Sequence, residues 1–147
     1  MKITFLGTSC MVPTKDRNHI SILLNYKNEN ILIDCGENTQ RQLKIANVSP
    51  TKITRILITH WDGDHVLGLP GLIQTLAANE YNKTLQIYGP KGSKEMVSNM
   101  LKTYNMKDKI KLSVIEVKSG NLKFLPIYSA QKCENNGNFY ARISCLD

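Results

Sequence analysis

Between Thr59 and Gly68 the chain reads T-H-W-D-G-D-H-V-L-G, which places His60, Asp62, Asp64 and His65 within six residues. Two imidazoles and two carboxylates are the donors a divalent cation takes, and a strand-end loop can hold them on rigid backbone. In an extended chain, positions 60, 62 and 64 project one way and His65 points elsewhere, a division that suits two adjacent ions. Two ions can activate a water and clamp both the attacking and the leaving oxygen of a phosphodiester. The plain alternative is a solvated acidic turn with incidental histidines.

A second group lies upstream. The loop Pro13-Thr14-Lys15-Asp16-Arg17-Asn18 offers a lysine, an arginine and an amide within four residues. Arginine suits bidentate contact with phosphate and lysine point-charge contact, although by composition alone this is equally an ordinary solvated loop. Asp34 precedes Cys35-Gly36 at a strand end, where an aspartate either caps a turn or stands behind a histidine and orients it. His19 reads as a strand-end histidine with its hydrogen bonds satisfied. The lysines at 91, 94, 102, 107, 109 and 111 read as a solvated helix and turn.

The elements that must position these groups follow from periodicity and turn chemistry. Residues 1–6 predict a short strand ending in Gly7-Thr8-Ser9, and residues 19–26 predict a second. Asn28-Glu29-Asn30 predicts a hairpin turn into a third strand, Ile31-Leu32-Ile33. The segment from Asp34 begins as a turn and becomes helical towards Ile45. Residues 53–59, ITRILIT, form a nearly continuous apolar run that suits a buried strand, so the His/Asp cluster sits just past its C-terminal end. Helical spacing covers 69–79, LQIYG is a strand, and Gly89-Pro90-Lys91-Gly92 turns into a helix over 93–104. KLSVIEV, the run 121–130 and the run 139–145 read as further strands, expected to be antiparallel. The class is α/β or α+β, with polar chemistry at strand-to-loop junctions.

With 147 residues, 41% of them hydrophobic, residues 1–147 are expected to form a single domain that buries roughly two-thirds of its unfolded surface. Nineteen basic against twelve acidic residues give a formal charge of +7, which favours polyanionic partners such as nucleic acid. Cys10, Cys35, Cys133 and Cys145 lack C-x-x-C spacing, so reduced thiols are expected rather than a disulfide framework or zinc knuckle. The apolar run at the N-terminus is too short for a signal peptide, and no stretch approaches the ~18 apolar residues of a membrane span. A cytoplasmic protein with no membrane partner is the expectation.

Several segments, in this order along nearly the whole chain, resemble the ribonuclease Z family, the tRNA 3′-end endonucleases of the metallo-β-lactamase fold. FLGTS…VPTKDRN is similar to that family's opening and its P-x-K-x-R-N loop, and LIDCGENTQRQL to its D-C-G-E-G-T-Q segment. ITHWDGDHVLGLPGL is similar to its H-x-H-x-D-H signature with the following G-L-P-G-L, and IYGPKG to a later landmark. The resemblance implies the N-terminal half of an αββα sandwich. It also implies hydrolysis of a tRNA precursor 3′ to the discriminator base, leaving a 3′-hydroxyl.

Residue by residue, the resemblance implies that His60 serves a first metal and that Asp64 and His65 serve a second, with Asp64 also taking a proton from the attacking water. Asp62 stands where the family has its second histidine; a carboxylate can replace imidazole on Zn²⁺ and suits Mn²⁺ or Mg²⁺ better. Cys133 falls about where the next ligand histidine belongs, and it is either a thiolate ligand or a small buried residue. Pro13, Lys15, Arg17 and Asn18 match the loop that meets the tRNA acceptor end. The family's later bridging aspartate, final histidine and tRNA-gripping arm have no counterpart, so a homodimer or a second chain is expected to complete the site. Two rival expectations are a hydrolase of a small, cyclic phosphodiester and an inactive remnant that binds RNA or a partner.

Overall fold

A computed structural model describes residues 1–117. The strand runs read at 121–130 and 139–145, together with Cys133, lie outside the described residues. Among the described residues, six strands form one sheet in sequence order: β1 (Lys2–Gly7), β2 (Ser21–Tyr26), β3 (Glu29–Ile33), β4 (Arg55–Leu57), β5 (Thr84–Gly89) and β6 (Lys111–Glu116). β1, β2 and β3 pair antiparallel, and β3 to β6 are mutually parallel. The antiparallel expectation for KLSVIEV is therefore corrected. A helix intervenes before β6, and a connection of that length returns the chain to the same end of the sheet, which makes the pairing parallel.

The β2–β3 hairpin turns one step earlier than the Asn-rich stretch suggests, because Tyr26 pairs with Glu29 and Lys27 takes the left-handed φ of 52°. β4 is shorter than the apolar run that predicts it. Ile53 and Ile58, outside the strand, are buried all the same.

Among the described residues, four α-helices and one 3-10 turn (Pro50–Lys52) connect the strands: α1 (Thr39–Ile45), α2 (Gly63–Val66), α3 (Leu69–Ala78) and α4 (Ser93–Thr103). In α3 the buried residues Leu69, Leu72, Ile73 and Leu76 recur at i, i+3, i+4 and i+7, the stripe of a helix packed on one side. Pro70 sits at its start, where a missing N–H costs nothing. Gly92 caps the start of α4 with a φ of 94° that suits glycine, and the Glu116 carboxylate accepts the N–H groups of Gly92 and Lys94, each at 3.0 Å. That carboxylate on β6 neutralises the positive end of α4 and fixes helix to sheet.

The register sorts the sheet into two faces. Leu23, Leu32, Ile56 and Ile87 align across β2 to β5, are fully buried, and share one core with Leu43 of α1, the α3 stripe and Val97 of α4. Burial of each such side chain contributes about 1.5–3 kcal/mol. The neighbouring row, Phe5, Ile22, Ile33, Leu57, Tyr88 and Ile115, points to the opposite face. Its members are only half-buried, and Phe5 is 65% exposed. Among the described residues this second apolar row carries no helical cover.

Candidate metal centre

The chemistry-bearing residues gather at the C-terminal ends of β3 and β4, where open α/β sheets form their crevices. Asp34 follows β3 directly. It takes a left-handed φ of 55°, uncommon for a residue with a side chain, and its own N–H donates to Leu57 O at 2.8 Å. This backbone twist swings the carboxylate towards the end of β4. There Asp34 Oδ1 accepts the Thr59 N–H at 2.8 Å, and Oδ2 accepts both the Thr59 hydroxyl at 2.8 Å and His65 Nδ1 at 2.7 Å. Asp34 is buried, so three hydrogen bonds compensate its lost hydration.

The loop after Asp34 is stitched to the cluster by its backbone. Cys35 N–H donates to His65 O at 2.7 Å, Gly68 N–H donates to Cys35 O at 2.9 Å, and Gly36 N–H donates to Ile20 O at 3.0 Å. Gly36 and Gly68 meet so closely that a Cβ on Gly68 would overlap the Gly36 carbonyl, and one on Gly36 would overlap Asp64 and His19. Glycine is required at both places. Cys35 is fully buried in this junction; burial pushes its thiol up to about 12, opposed by a Thr39 hydrogen bond and aided by the Asp34 charge. It therefore stays a protonated, inert thiol.

The cluster itself is not an extended loop. Asp62 is the last extended residue, with φ −70° and ψ 148°, and the chain then coils into α2, which carries Asp64 and His65. This corrects the expectation that 60, 62 and 64 project together with His65 apart. The helical turn instead brings the His60 and His65 rings to 3.9 Å between centroids. His60 Nε2 lies 3.4 Å from Asp62 Oδ2, and His65 Nε2 lies 3.4 Å from Asp64 Oδ2. Exposure is graded: Asp62 is open to solvent, His60 partly so, and Asp64 is buried.

Asp64 Oδ2 accepts the Met11 N–H at 2.9 Å, while Oδ1 is buried without a hydrogen-bond partner. On the other side Trp61 Nε1–H donates to Ser93 Oγ at 2.8 Å and pins the cluster to α4. Burial alone would lower the His65 pKa. The Asp34 hydrogen bond and the charges of Asp34, Asp64 and Asp62 outweigh it, and the group is held above its ordinary range.

The family model described as Anti-Pycsar protein Apyc1 matches residues 1–118. The chain belongs to that family. It is homologous to ribonuclease Z as well: 47% identical to the enzyme of Methanothermobacter thermautotrophicus over 122 residues, covering 83% of this chain and 40% of that one. Against ribonuclease Z of Methanocaldococcus jannaschii it is 52% identical over 102 residues, or 69% of this chain and 32% of the other. The structure of human tRNase Z, short form, superposes with a TM-score of 0.72 at 35% identity, covering 79% of this chain and 45% of that chain. A long form RNase Z from yeast gives a TM-score of 0.60 at 23% identity, which speaks for the fold. The fold is that of the metallo-β-lactamases, and the mixed α/β half expected from the sequence is the half observed. The chain spans about 40% of the length of the first of these relatives.

Within this metallo-β-lactamase half, the sequence candidates separate into two zones. His60, Asp62, Asp64, His65 and Asp34 come together, and Thr59 and Met11 join them. A hydroxyl directly before the first histidine was the available signal for Thr59. Met11 acts through its backbone, which leaves no signal in the side-chain alphabet. Pro13, Lys15 and Arg17 are exposed on the loop that Met11 ties to Asp64. Asn18 is engaged: its Oδ1 accepts Asn38 Nδ2–H at 2.9 Å, and its carbonyl accepts the N–H groups of Thr8 and Ser9. His19 is a buried strand-end residue as read, but it is not satisfied. Both ring nitrogens lack a hydrogen-bond partner, and Glu37 Oε2 stands 3.9 Å from Nδ1. Among the described residues, no helix is long and apolar enough to cross a membrane.

Proposed function

We propose that this chain is the first half of a metal-dependent endoribonuclease of the ribonuclease Z type, hydrolysing the phosphodiester 3′ to the discriminator base of a tRNA precursor. The observation that carries this reading is the adjacent pair of histidines, their rings tilted 50° to each other, each with Nδ1 engaged behind it and Nε2 facing a carboxylate, in a chain homologous to ribonuclease Z. Imidazoles held through one nitrogen and offering the other are prepared for a cation.

The donor chemistry fits a divalent ion, and the buried, unpartnered Asp64 Oδ1 beside His65 is an oxygen that such an ion would satisfy. His60 with Asp62 makes one pair of donors and Asp64 with His65 another. Among the described residues, no group of three or more donors is assembled. The remaining ligands are supplied by residues beyond 117, Cys133 being the candidate there, or by a second chain. Zn²⁺ suits the histidines, and Asp62 extends the range to Mn²⁺ and Mg²⁺. When bound, the ion supplies Lewis-acid polarisation of a water and of phosphoryl oxygen. Asp64 takes the proton of the attacking water, and Asp34 keeps His65 in register. Lys15 and Arg17 hold phosphates of the RNA, whose A-form stem is read by shape and backbone. A homodimer or a second chain covers the bare sheet row and completes the site.

A second substrate reading, a small cyclic phosphodiester, stands beside it, because the family model that matches residues 1–118 is described as an anti-Pycsar protein and not as a ribonuclease. Metal analysis combined with cleavage assays on precursor tRNA and on cyclic nucleotides separates the two. Metal-dependent cleavage at the discriminator base supports the first reading. Turnover of cyclic nucleotides alone overturns it in favour of the second, and metal uptake with neither activity leaves a binding remnant.

A further inference from the structure

We propose that Thr59 is a positioning residue that fixes the tautomer of His60, so that Nε2 rather than Nδ1 is offered to the metal centre. The hydroxyl of Thr59 is 2.8 Å from Asp34 Oδ2, 3.0 Å from His60 Nδ1 and 3.4 Å from His65 Nδ1. A hydroxyl has one proton to give and lone pairs to receive. An ionised carboxylate can only accept, so the Thr59 proton goes to Asp34 Oδ2; the opposite assignment would set two acceptor oxygens against each other at 2.8 Å. With its proton committed, Thr59 Oγ1 is an acceptor towards His60. His60 must then carry its hydrogen on Nδ1, which leaves the Nε2 lone pair facing Asp62.

The backbone supports this direction. Thr59 N–H is itself held by Asp34 Oδ1 at 2.8 Å, so main chain and side chain of Thr59 grip the two oxygens of one carboxylate. The hydroxyl cannot rotate away without losing a charge-assisted bond. Asp34 thereby sets both rings, His65 directly and His60 through Thr59. The tautomer assignment stands on this geometry alone; its consequence for metal affinity rests on the metal reading proposed above.

The test is imidazole ¹⁵N–¹H long-range NMR of the metal-free 147-residue chain at mildly alkaline pH, for the parent, Thr59→Val and Thr59→Ser, with Zn²⁺ titration of each. Expected is an Nδ1-protonated His60 in the parent and in Thr59→Ser, and a shift towards Nε2 protonation in Thr59→Val. Zn²⁺ affinity should fall roughly 10–100-fold in the valine variant and recover in the serine variant. A parent His60 protonated on Nε2 overturns the proposal without recourse to any variant. So does a Thr59→Val chain that keeps the parent tautomer, or a Thr59→Ser chain as altered as Thr59→Val. A parent with the Nδ1 proton on His60 that takes up no Zn²⁺ supports the role of Thr59 and overturns the metal reading instead.

Discussion

Asp34 Oδ2 stands 2.7 Å from His65 Nδ1 across the ends of two parallel strands, and that carboxylate also holds both the N–H and the hydroxyl of Thr59. Asp34→Asn keeps the shape but replaces one acceptor oxygen by a donor. The bonds from the Thr59 hydroxyl and His65 Nδ1 then lose their charge assistance, and they survive only with their protons reversed. The variant should lose about 2–3 kcal/mol of stability by urea denaturation, the scale of hydrogen bonds to a charged group. An unchanged urea midpoint would show that this network contributes nothing.

The same pair dictates a pH dependence. His65 is raised above its ordinary 6.5, with burial opposing and the Asp34 hydrogen bond, then the charges of Asp34, Asp64 and Asp62, prevailing. The folded state therefore binds more protons than the unfolded state between the two pKa values. This contribution is fully present below about 6.5 and disappears as pH rises through the folded value. Urea midpoints of the metal-free parent, referred to those of His65→Asn, should fall with rising pH across that window. A difference that is flat or grows with pH contradicts the assignment.

Gly36 and Gly68 make a sharper structural claim. A Cβ at Gly68 meets backbone that cannot yield, whereas one at Gly63 meets only the flexible Leu67 side chain. Gly68→Ala should cost about 3 kcal/mol or more, and Gly63→Ala should stay within about 1 kcal/mol. Equal melting temperatures for the two variants would place the close approach elsewhere.

How much of this was legible follows from where the information sits. The alternation of 53–59 and the stripe at 69, 72, 73 and 76 report burial, which binary patterning encodes, and both elements are where the sequence puts them. The grouping of His60, Asp62, Asp64 and His65 is local, so adjacency revealed it. Their geometry was not legible, because Gly63-Asp64-His65-Val66 has no apolar period to announce a helical turn, and a four-residue helix is set by tertiary context. The direction of β6 was hidden for a related reason. Alternation in KLSVIEV specifies faces, while parallel pairing is decided by the intervening α4. The hold of Met11 on Asp64 is made by an N–H that every residue but proline carries.

The row Phe5, Ile22, Ile33, Leu57, Tyr88 and Ile115 predicts association. Contiguous apolar surface of this kind finds a partner. The 147-residue chain should run as a dimer or larger species by light scattering at micromolar concentration. Leu57→Lys, in the middle of the row, should shift it towards monomer, because a lysine there must stay hydrated. A parent that is monomeric and stable, with the variant indistinguishable from it, would rule the row out as an association surface.

Substrate contact and metal affinity should respond to different substitutions. Lys15 and Arg17 are exposed on the loop that Met11 ties to Asp64, which is why they are the proposed phosphate contacts next to the proposed metal site. Replacing both by alanine should weaken precursor-tRNA binding and flatten its logarithmic salt dependence by about one to two contacts, each contributing a slope of about 0.9 on duplex. Asp62→His acts on the other zone. Asp62 is exposed and its carboxylate lies 3.4 Å from His60 Nε2, so an imidazole there can join the same cation. Zn²⁺ affinity should rise while the salt slope of RNA binding stays as in the parent. A salt slope unchanged by the double alanine variant removes the loop from the RNA contact, and a salt slope altered by Asp62→His shows that the two zones are one.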